Sequence, residues 1–263
     1  MEVTLANAKI LTAGEEFIGS LNFCNGEIKA VDLGKSVHLG AIDCEGDYIS
    51  PGLVELHTDN LERHLQPRPG VNWPLRASVL AHDRELAGTG ITTVFDAVRV
   101  GSITSNEKAG YRKYARQTAT EINQLTAQGA LKISHFIHLR AELCSETMAE
   151  ELDEFSDQDH IKMISMMDHT PGQRQFRDVT KLVEYLSDKH HMNDKEVKEH
   201  FEMLKGLQRE FGAKHRAHTV EKANLLKALL ASHDDTTIDD VIDSAKDGAR
   251  VAEFPTTFDA AQA

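Results

Sequence analysis

Hydrophobic and polar positions follow two different patterns along the chain, and the change comes near residue 50. Before it, short apolar runs such as VTLANAKILTA and GAIDCEGDYIS are separated by Asn-Gly and Glu-Gly turn signals. No helix-length stretch interrupts these runs. The pattern therefore predicts a small N-terminal β domain over residues 1–50.

From residue 51 to 263, strand-like runs alternate with helical stretches. The strand-like runs are GLVELHTD, ITTVFDAVRV, LKISHFIHLRAE, HIKMISMMDHT, ALLASHDDTT and RVAEFPTT. Helices are predicted between them, for example over 76–87, 111–127 and 238–247, with a last one over 258–263. Such alternation is typical of parallel strands joined by crossover helices. It predicts an α/β fold, either a doubly wound sheet or a barrel that lacks two of its usual eight strands.

Composition narrows the function classes. Hydrophobic residues make up 40% of the chain and charged residues 27%, which is typical of a soluble globular protein. We expect no membrane span, no signal peptide and a cytoplasmic location, with Cys24, Cys44 and Cys144 as reduced, buried thiols. The net charge of −13 argues against nucleic acid as a partner. A phosphorylated small substrate stays possible, because local arginines and bound cations reverse the field inside a cleft.

Histidines and carboxylates recur at the C-terminal ends of the predicted strands. In strand order they are His57 and Asp59; Asp96 and Arg99; His138, Arg140 and Glu142; Asp168 and His169; and His233, Asp234 and Asp235. Histidines with purely structural roles are the alternative, but they have no reason to choose the same end of successive strands. Carboxyl ends of parallel strands are where metals and ligands collect. The pattern therefore predicts a metal-dependent hydrolase site.

Several longer strings carry a resemblance to a known family. They are LHTDNLERH with QPRPGVNWP, FIHLRAE, SMMDHTPGQRQF, ASHDDTT and AEFPTT. The chain resembles the amidohydrolase superfamily, whose members usually show His-x-His on the first barrel strand, where Asp59 stands here. Within it, the chain is similar to the diphosphatases of the C–P lyase pathway of phosphonate metabolism. The resemblance implies a metal-dependent-hydrolase TIM-like barrel over residues 51–263 with about six of eight strands, truncated at its C-terminus.

The resemblance also implies a reaction and a cofactor. The reaction is hydrolysis of α-D-ribose 1-methylphosphonate 5-triphosphate, a phosphorylated sugar phosphonate, to 5-phosphoribosyl 1-methylphosphonate and pyrophosphate. The cofactor is one or two divalent ions, Zn²⁺ or Mn²⁺. The expected metal ligands are His57, Asp59, Glu142, His169 and His233. Lys132 is the alternative to Glu142 as a shared ligand, but it lies roughly 30 Å of extended chain away, at the start of its strand.

Substrate contacts and the catalytic base complete the expected site. Triphosphate binding needs cationic groups, and the candidates are Arg63, His64, Arg68, Arg140 and Arg174. The aspartate that serves as general base in the superfamily lies beyond the end of this chain, and Asp234 is the substitute. The alternatives are an incomplete member that binds metal or partners without turnover, and another metal-dependent amidohydrolase. The oligomeric state is open, with a homo-oligomer as one alternative.

Three further features are expected to be structural. Lys189 to Met192 read as a solvated helix face, and His215 and His218 as helix residues without a metal partner set. The join near Asn224 to Ala231 lacks the glycine that usually ends a helix, which indicates a small deletion.

Overall fold

The computed structural model describes residues 1–68, 70–105, 113–180, 182–183 and 193–263. The chain divides into two compact units, Met1–Leu53 and Val54–Ala263. The division falls where the sequence pattern changes. In the described residues, no helix is long and apolar enough to cross a membrane.

The N-terminal unit is a mixed β-sheet. Its strands are β1 (Glu2–Leu11), β2 (Glu16–Cys24), β3 (Glu27–Leu33), β4 (Ile42–Asp43) and β5 (Tyr48–Ile49). The sheet order is β3-β2-β1-β4, with β5 also paired to β1, and β4 and β5 run parallel to β1. The β2–β3 turn places Asn25 and Gly26 at φ 53° and 84°, the left-handed region that an Asn-Gly hairpin turn requires.

Six strands among the described residues, the first of which begins at the boundary between the two units, form the second sheet in sequential order. They are β6 (Leu53–Thr58), β7 (Ile91–Val100), β8 (Ser134–Glu142), β9 (Ile161–Met167), β10 (Leu229–His233) and β11 (Val251–Glu253). The sheet is parallel and curls into a nearly closed barrel, with β6 and β11 as its two edge strands. The predicted α/β class and a TIM-like barrel of six strands are confirmed.

The helices lie between these strands, as predicted. They are α1 (Asn60–Leu65), α2 (Leu75–Gly88), α3 (Ala115–Ala127), α4 (Met148–Asp153), α5 (Asp194–Leu207), α6 (Ala213–Leu226), α7 (Ile238–Lys246) and α8 (Phe258–Gln262). The helix predicted over 111–127 begins at Ala115, and positions 111–112 lie outside the described residues, as do Lys189 to Met192. A π-helical turn, Gln208–Gly212, joins α5 to α6.

Strand β8 shows how the barrel separates its two faces. Ile137, Leu139 and Ala141 are fully buried in the apolar layer between the sheet and the helices. Their alternate neighbours, His138, Arg140 and Glu142, therefore project to the barrel interior. This alternation brings polar side chains to the interior at the strand's carboxyl end, while the apolar layer stabilises the outside.

Strand β7 corrects one sequence interpretation. Asp96 does not lie at the carboxyl end of its strand, because β7 continues to Val100. It shares the helix-facing side with Val98 and Val100 and is 1% exposed. Asp96 bonds to His82 and His135 in that layer and takes no part in the barrel mouth.

The end of α6 is reached without a glycine. Lys227 occupies the left-handed C-cap position, with φ 54° and ψ 32°, and its N–H donates to the carbonyls of Ala223 and Asn224. The helix stop is therefore present, and the lack of glycine is no sign of a missing turn. Of the cysteines, which are all free, Cys144 is buried as expected, whereas Cys24 and Cys44 are only half-buried.

Candidate functional site

The two edge strands of the barrel meet at their carboxyl ends through side chains. His57 is the penultimate residue of β6 and Glu253 is the last residue of β11, and His57 Nδ1 lies 3.0 Å from Glu253 Oε2. Both side chains are nearly inaccessible, at 6% and 3% exposed. Both residues lie at the carboxyl end of a parallel strand, and these strand ends meet at the mouth of the barrel.

His233, the last residue of β10, joins the same carboxylate. Its Nδ1 lies 3.3 Å from Glu253 Oε2, and its ring stacks on His57 with centroids 5.1 Å apart. Phe254 packs edge-on against both imidazoles, at 5.0 and 5.4 Å. Burial raises the pKa of Glu253, but its hydrogen bonds to His233 and His57 outweigh burial and lower the pKa to about 2.

Two groups of side chains in the mouth have the spacing of metal ligands. His57, His233 and Glu253 form one group, and His169, His233 and Asp234 form the other, each with ligand atoms within 4.8 Å of one another. Glu253 Oε1 is buried and has no hydrogen-bond partner among the described residues. A buried carboxylate oxygen without a donor costs free energy unless a cation satisfies it. The imidazole and carboxylate set therefore fits a divalent ion.

His169 and Glu142 form the next part of the site. His169 follows β9, and its Nδ1 lies 2.5 Å from Glu142 Oε2 at the end of β8. Its ring also meets that of His233 edge-on, with centroids 6.0 Å apart. Burial lowers the pKa of His169, but the Glu142 carboxylate outweighs it and raises the pKa. Lys132 is exposed and precedes β8, at the opposite end of the strand from Glu142.

Asp59 and Arg140 line the other side of the mouth. Asp59 Oδ1 lies 3.5 Å from His57 Nε2 and also accepts a hydrogen bond from Arg140 Nη1. Burial raises the pKa of Asp59, and the opposing effects of His57 and Arg140 are larger, so the pKa is lowered. The Asp59 side chain is half exposed, which leaves one face of this carboxylate open to solvent.

His138 lies in the barrel interior below these residues. Its Nδ1 lies 3.0 Å from the carbonyl of Leu56 and its Nε2 2.8 Å from the hydroxyl of Ser165. Nε2 is also 3.6 Å from Glu253 Oε1. Burial lowers the pKa of His138 to about 4, so the imidazole is neutral near pH 7. Its hydrogen bonds hold the ring beneath the candidate ligands.

Asp234 and Asp235 have different surroundings although they are adjacent. Asp234 has φ 56° and places Oδ2 3.3 Å from His233 Nε2, and burial raises its pKa despite the nearby histidines. Asp235 is fully buried and accepts hydrogen bonds from Arg174 and Ser232. Asp234 is therefore the aspartate of the pair that faces the metal-type group.

The cationic residues predicted to bind substrate are spread over several places. Arg63 and His64, on α1, both pair with Glu85 of α2. Arg68 is exposed and forms an isolated bridge with Val71. Arg174 is 7% exposed and donates to Asp235 and to the carbonyl of His233, 3.2 Å away. The structure thus places Arg140 at the candidate metal group and Arg174 behind it.

Two helix histidines lie away from this site. His215 is buried, with Nδ1 2.9 Å from the carbonyl of Leu143, and His218 Nε2 lies 3.0 Å from Asp153 Oδ1 on the protein surface. Sequence reasoning missed Glu253, although AEFPTT shows a carboxylate at a strand end. Strand β11 has only three residues, which is too short to show alternation.

Comparison with known proteins gives the chain a family. No family model matches it. The curated α-D-ribose 1-methylphosphonate 5-triphosphate diphosphatase of Escherichia coli (strain K12) is 35% identical over 257 residues, covering 98% of this chain and 68% of the relative.

Solved structures share the fold at low identity. N-acetyl-D-glucosamine-6-phosphate deacetylase from Mycobacterium smegmatis matches with a TM-score of 0.54 and 16% identity, over 99% of this chain and 61% of that one. An uncharacterised protein matches with a TM-score of 0.52 and 13% identity, over 96% and 60%. The chain thus spans about three fifths of the solved structures it matches. By its identity to the curated relative, the chain belongs to the α-D-ribose 1-methylphosphonate 5-triphosphate diphosphatase family.

Proposed function

We propose that this chain carries the metal-binding part of an active site that hydrolyses α-D-ribose 1-methylphosphonate 5-triphosphate to 5-phosphoribosyl 1-methylphosphonate and pyrophosphate. The observation that carries the proposal is the cluster of His57, His169, His233 and Glu253 at the carboxyl ends of barrel strands. Membership in the diphosphatase family supplies the substrate class.

The proposed ligands of one or two Zn²⁺ or Mn²⁺ ions are His57, Asp59, Glu142, His169 and His233, with Glu253 added. Glu253 is supported by its contacts with His57 and His233 and by its buried Oε1, which accepts no hydrogen bond from the residues that the structure describes. When bound, such ions polarise the attacking water and neutralise phosphoryl charge. Glu142 is the proposed shared ligand, because its carboxylate already contacts His169.

The chain's own residues have proposed roles in binding and proton transfer. Arg140 is the best-supported triphosphate contact, since its guanidinium lies beside Asp59 at the mouth with only 12% of the side chain exposed. Arg63, His64 and Arg68 stay predicted substrate contacts, and Arg174 supports the position of His233. Asp234 is the proposed proton acceptor, because it alone of the two aspartates after β10 faces the histidines.

Pyrophosphate release from the ribose methylphosphonate triphosphate, followed by ³¹P NMR with added Mn²⁺ or Zn²⁺, tests the proposal. We expect Asp234→Asn to lower the rate by about 10² to 10⁴, while the six proposed metal ligands stay in place to bind the metal. The double variant His57→Ala/His169→Ala should lose both metal and activity. His218→Gln, on the surface of α6, is the matched control and should change neither.

Other outcomes would select the alternatives. Metal binding without pyrophosphate release would favour an incomplete member that binds without turnover. Hydrolysis of an amide or ring substrate instead of the triphosphate would favour another metal-dependent amidohydrolase. Equal metal content in the wild type and the double variant would refute the proposed ligands.

A further inference from the structure

A second group of buried histidines and carboxylates lies outside the barrel mouth, between the sheet and α2. His82 and Asp83 come from α2, Asp96 from β7 and His135 from β8. Their side chains are at most 1% exposed. The group reaches α1 through Asn60, whose Nδ2 lies 3.1 Å from His82 Nδ1. These five residues are called the relay below.

The hydrogen atoms of the relay follow from its partners. His135 Nδ1 lies 2.7 Å from Asp96 Oδ2 and Nε2 3.2 Å from Asp83 Oδ1. Ionised carboxylates only accept, so both ring nitrogens of His135 donate. His82 Nε2 donates to Asp96 Oδ1 at 2.9 Å, which leaves His82 Nδ1 to accept from Asn60. Hydrogen bonds therefore run unbroken from Asn60 to Asp83.

The far end of the relay is fixed by backbone. Asp83 Oδ1 accepts from the N–H groups of Lys132 and Ile133, at 2.7 and 3.2 Å, and Arg84 pairs with Asp83 Oδ2. The charges of two carboxylates are thus matched by Arg84 and His135. Hydrogen bonds and ion pairs therefore join the residues of the relay without a metal ion, although His82, Asp96 and His135 have the spacing of metal ligands.

We propose that the relay is a positioning device that holds α1 in place and so directs Asp59 toward the candidate metal group. Asn60 is the first residue of α1, and Asp59 is its N-cap residue. Asp59 Oδ1 lies 3.5 Å from His57 Nε2. A shift of α1 therefore moves this carboxylate relative to His57. The metal readout of this inference rests on the proposed function, and the positioning of α1 does not.

Hydrogen exchange tests the positioning of α1 without any assumption about catalysis. His82→Gln keeps a donor toward Asp96 but offers no acceptor at the position of Nδ1. We expect the amides of α1 to exchange about tenfold faster in this variant, because a buried hydrogen bond is lost, while the amides of β8 are unchanged. Asn60→Ala removes the donor of the same hydrogen bond, and it is the variant to measure if His82→Gln does not fold.

Thr219→Val is the matched control. Thr219 is fully buried on α6 and donates to the carbonyl of His215, 2.8 Å away, with no link to α1. Its loss should leave exchange in α1 as in the wild type. Equal exchange of α1 in wild type and His82→Gln would overturn the inference, and so would equal acceleration by Thr219→Val.

Calorimetric titration with Zn²⁺ or Mn²⁺ tests the consequence for the site. We expect metal affinity about tenfold weaker in His82→Gln, because outer partners of ligands commonly tune affinity by that factor, and unchanged in Thr219→Val. Faster exchange of α1 with unaltered affinity would overturn the link to Asp59. A wild type that binds no metal would refute the proposed function, and the exchange data would still decide whether the relay holds α1.

Discussion

Replacement of Glu253 by glutamine removes the charge at the centre of the barrel mouth while it keeps the side-chain volume. The carboxylate is 3% exposed and lies 3.0 Å from His57 Nδ1 and 3.3 Å from His233 Nδ1. A glutamine amide cannot accept from both imidazoles through one negative oxygen. We therefore expect two separate losses, one in the stability of the metal-free chain and one in metal affinity.

The pKa of Glu253 gives the size of the first loss. A fall from the ordinary 4.5 to about 2 corresponds to about 3 kcal/mol in favour of the ionised carboxylate in the folded chain. Because the folded-state pKa is lowered, this stability is present above pH 4.5 and is lost as the pH falls toward about 2. At pH 7, Glu253→Gln should therefore lower the free energy of unfolding by about 3 kcal/mol.

Urea unfolding at pH 7 with a chelator measures the loss of stability of the metal-free chain. Metal titration measures the loss of metal affinity, which we expect to be about 100-fold. Glu85→Gln is the matched control. Glu85 also pairs with a histidine, His64, and its pKa is lowered to about 2 mainly by Arg63, but it lies at the solvent-exposed surface. Water screens that pair, so the control should unfold like the wild type. Equal effects of the two substitutions would refute the reasoning.

Two further predictions concern stability and solubility. The variant Lys227→Gly should have a free energy of unfolding about 1 kcal/mol higher than Lys227→Ala, because the left-handed C-cap at φ 54° strains any residue with a Cβ. Equal urea midpoints for the two variants would contradict this prediction. Val54→Lys should lower the light scattering of concentrated protein, because Val54 on edge strand β6 is 58% exposed and an edge lysine opposes pairing with another chain. Ser20→Lys, on β2 of the N-terminal sheet, is the control. Scattering by Val54→Lys that is no lower than that of the control would contradict the prediction.

The sequence predicted the fold and the positions of several candidate site residues for one physical reason. Parallel strands carry a two-residue alternation, so the sequence alone places His138, Arg140 and Glu142 on one face of β8. Strand lengths could not be read in the same way. The sequence pattern predicts Asp96 at the end of β7, yet the strand continues four residues beyond it, to Val100.

The remaining misses arise from contacts between residues that are distant in sequence. Glu253 becomes a site residue only because the sheet curls until β11 meets β6, 196 positions away in the chain. Pairing of Arg63 and His64 with Glu85 depends in the same way on how α1 packs against α2. Neither contact leaves a local pattern, since each partner alone resembles an ordinary surface residue.

The same residues that are proposed to bind metal also close the barrel mouth. Strands β6 and β11 are the two edges of the sheet, and His57 and Glu253 join them through side chains. A divalent ion bound by both residues would hold the two edges together more strongly than this hydrogen bond does. Metal binding and closure of the mouth are therefore linked, because a ligand that binds only the closed arrangement stabilises it. Substitutions that loosen either edge should weaken metal binding, even where they leave every ligand in place.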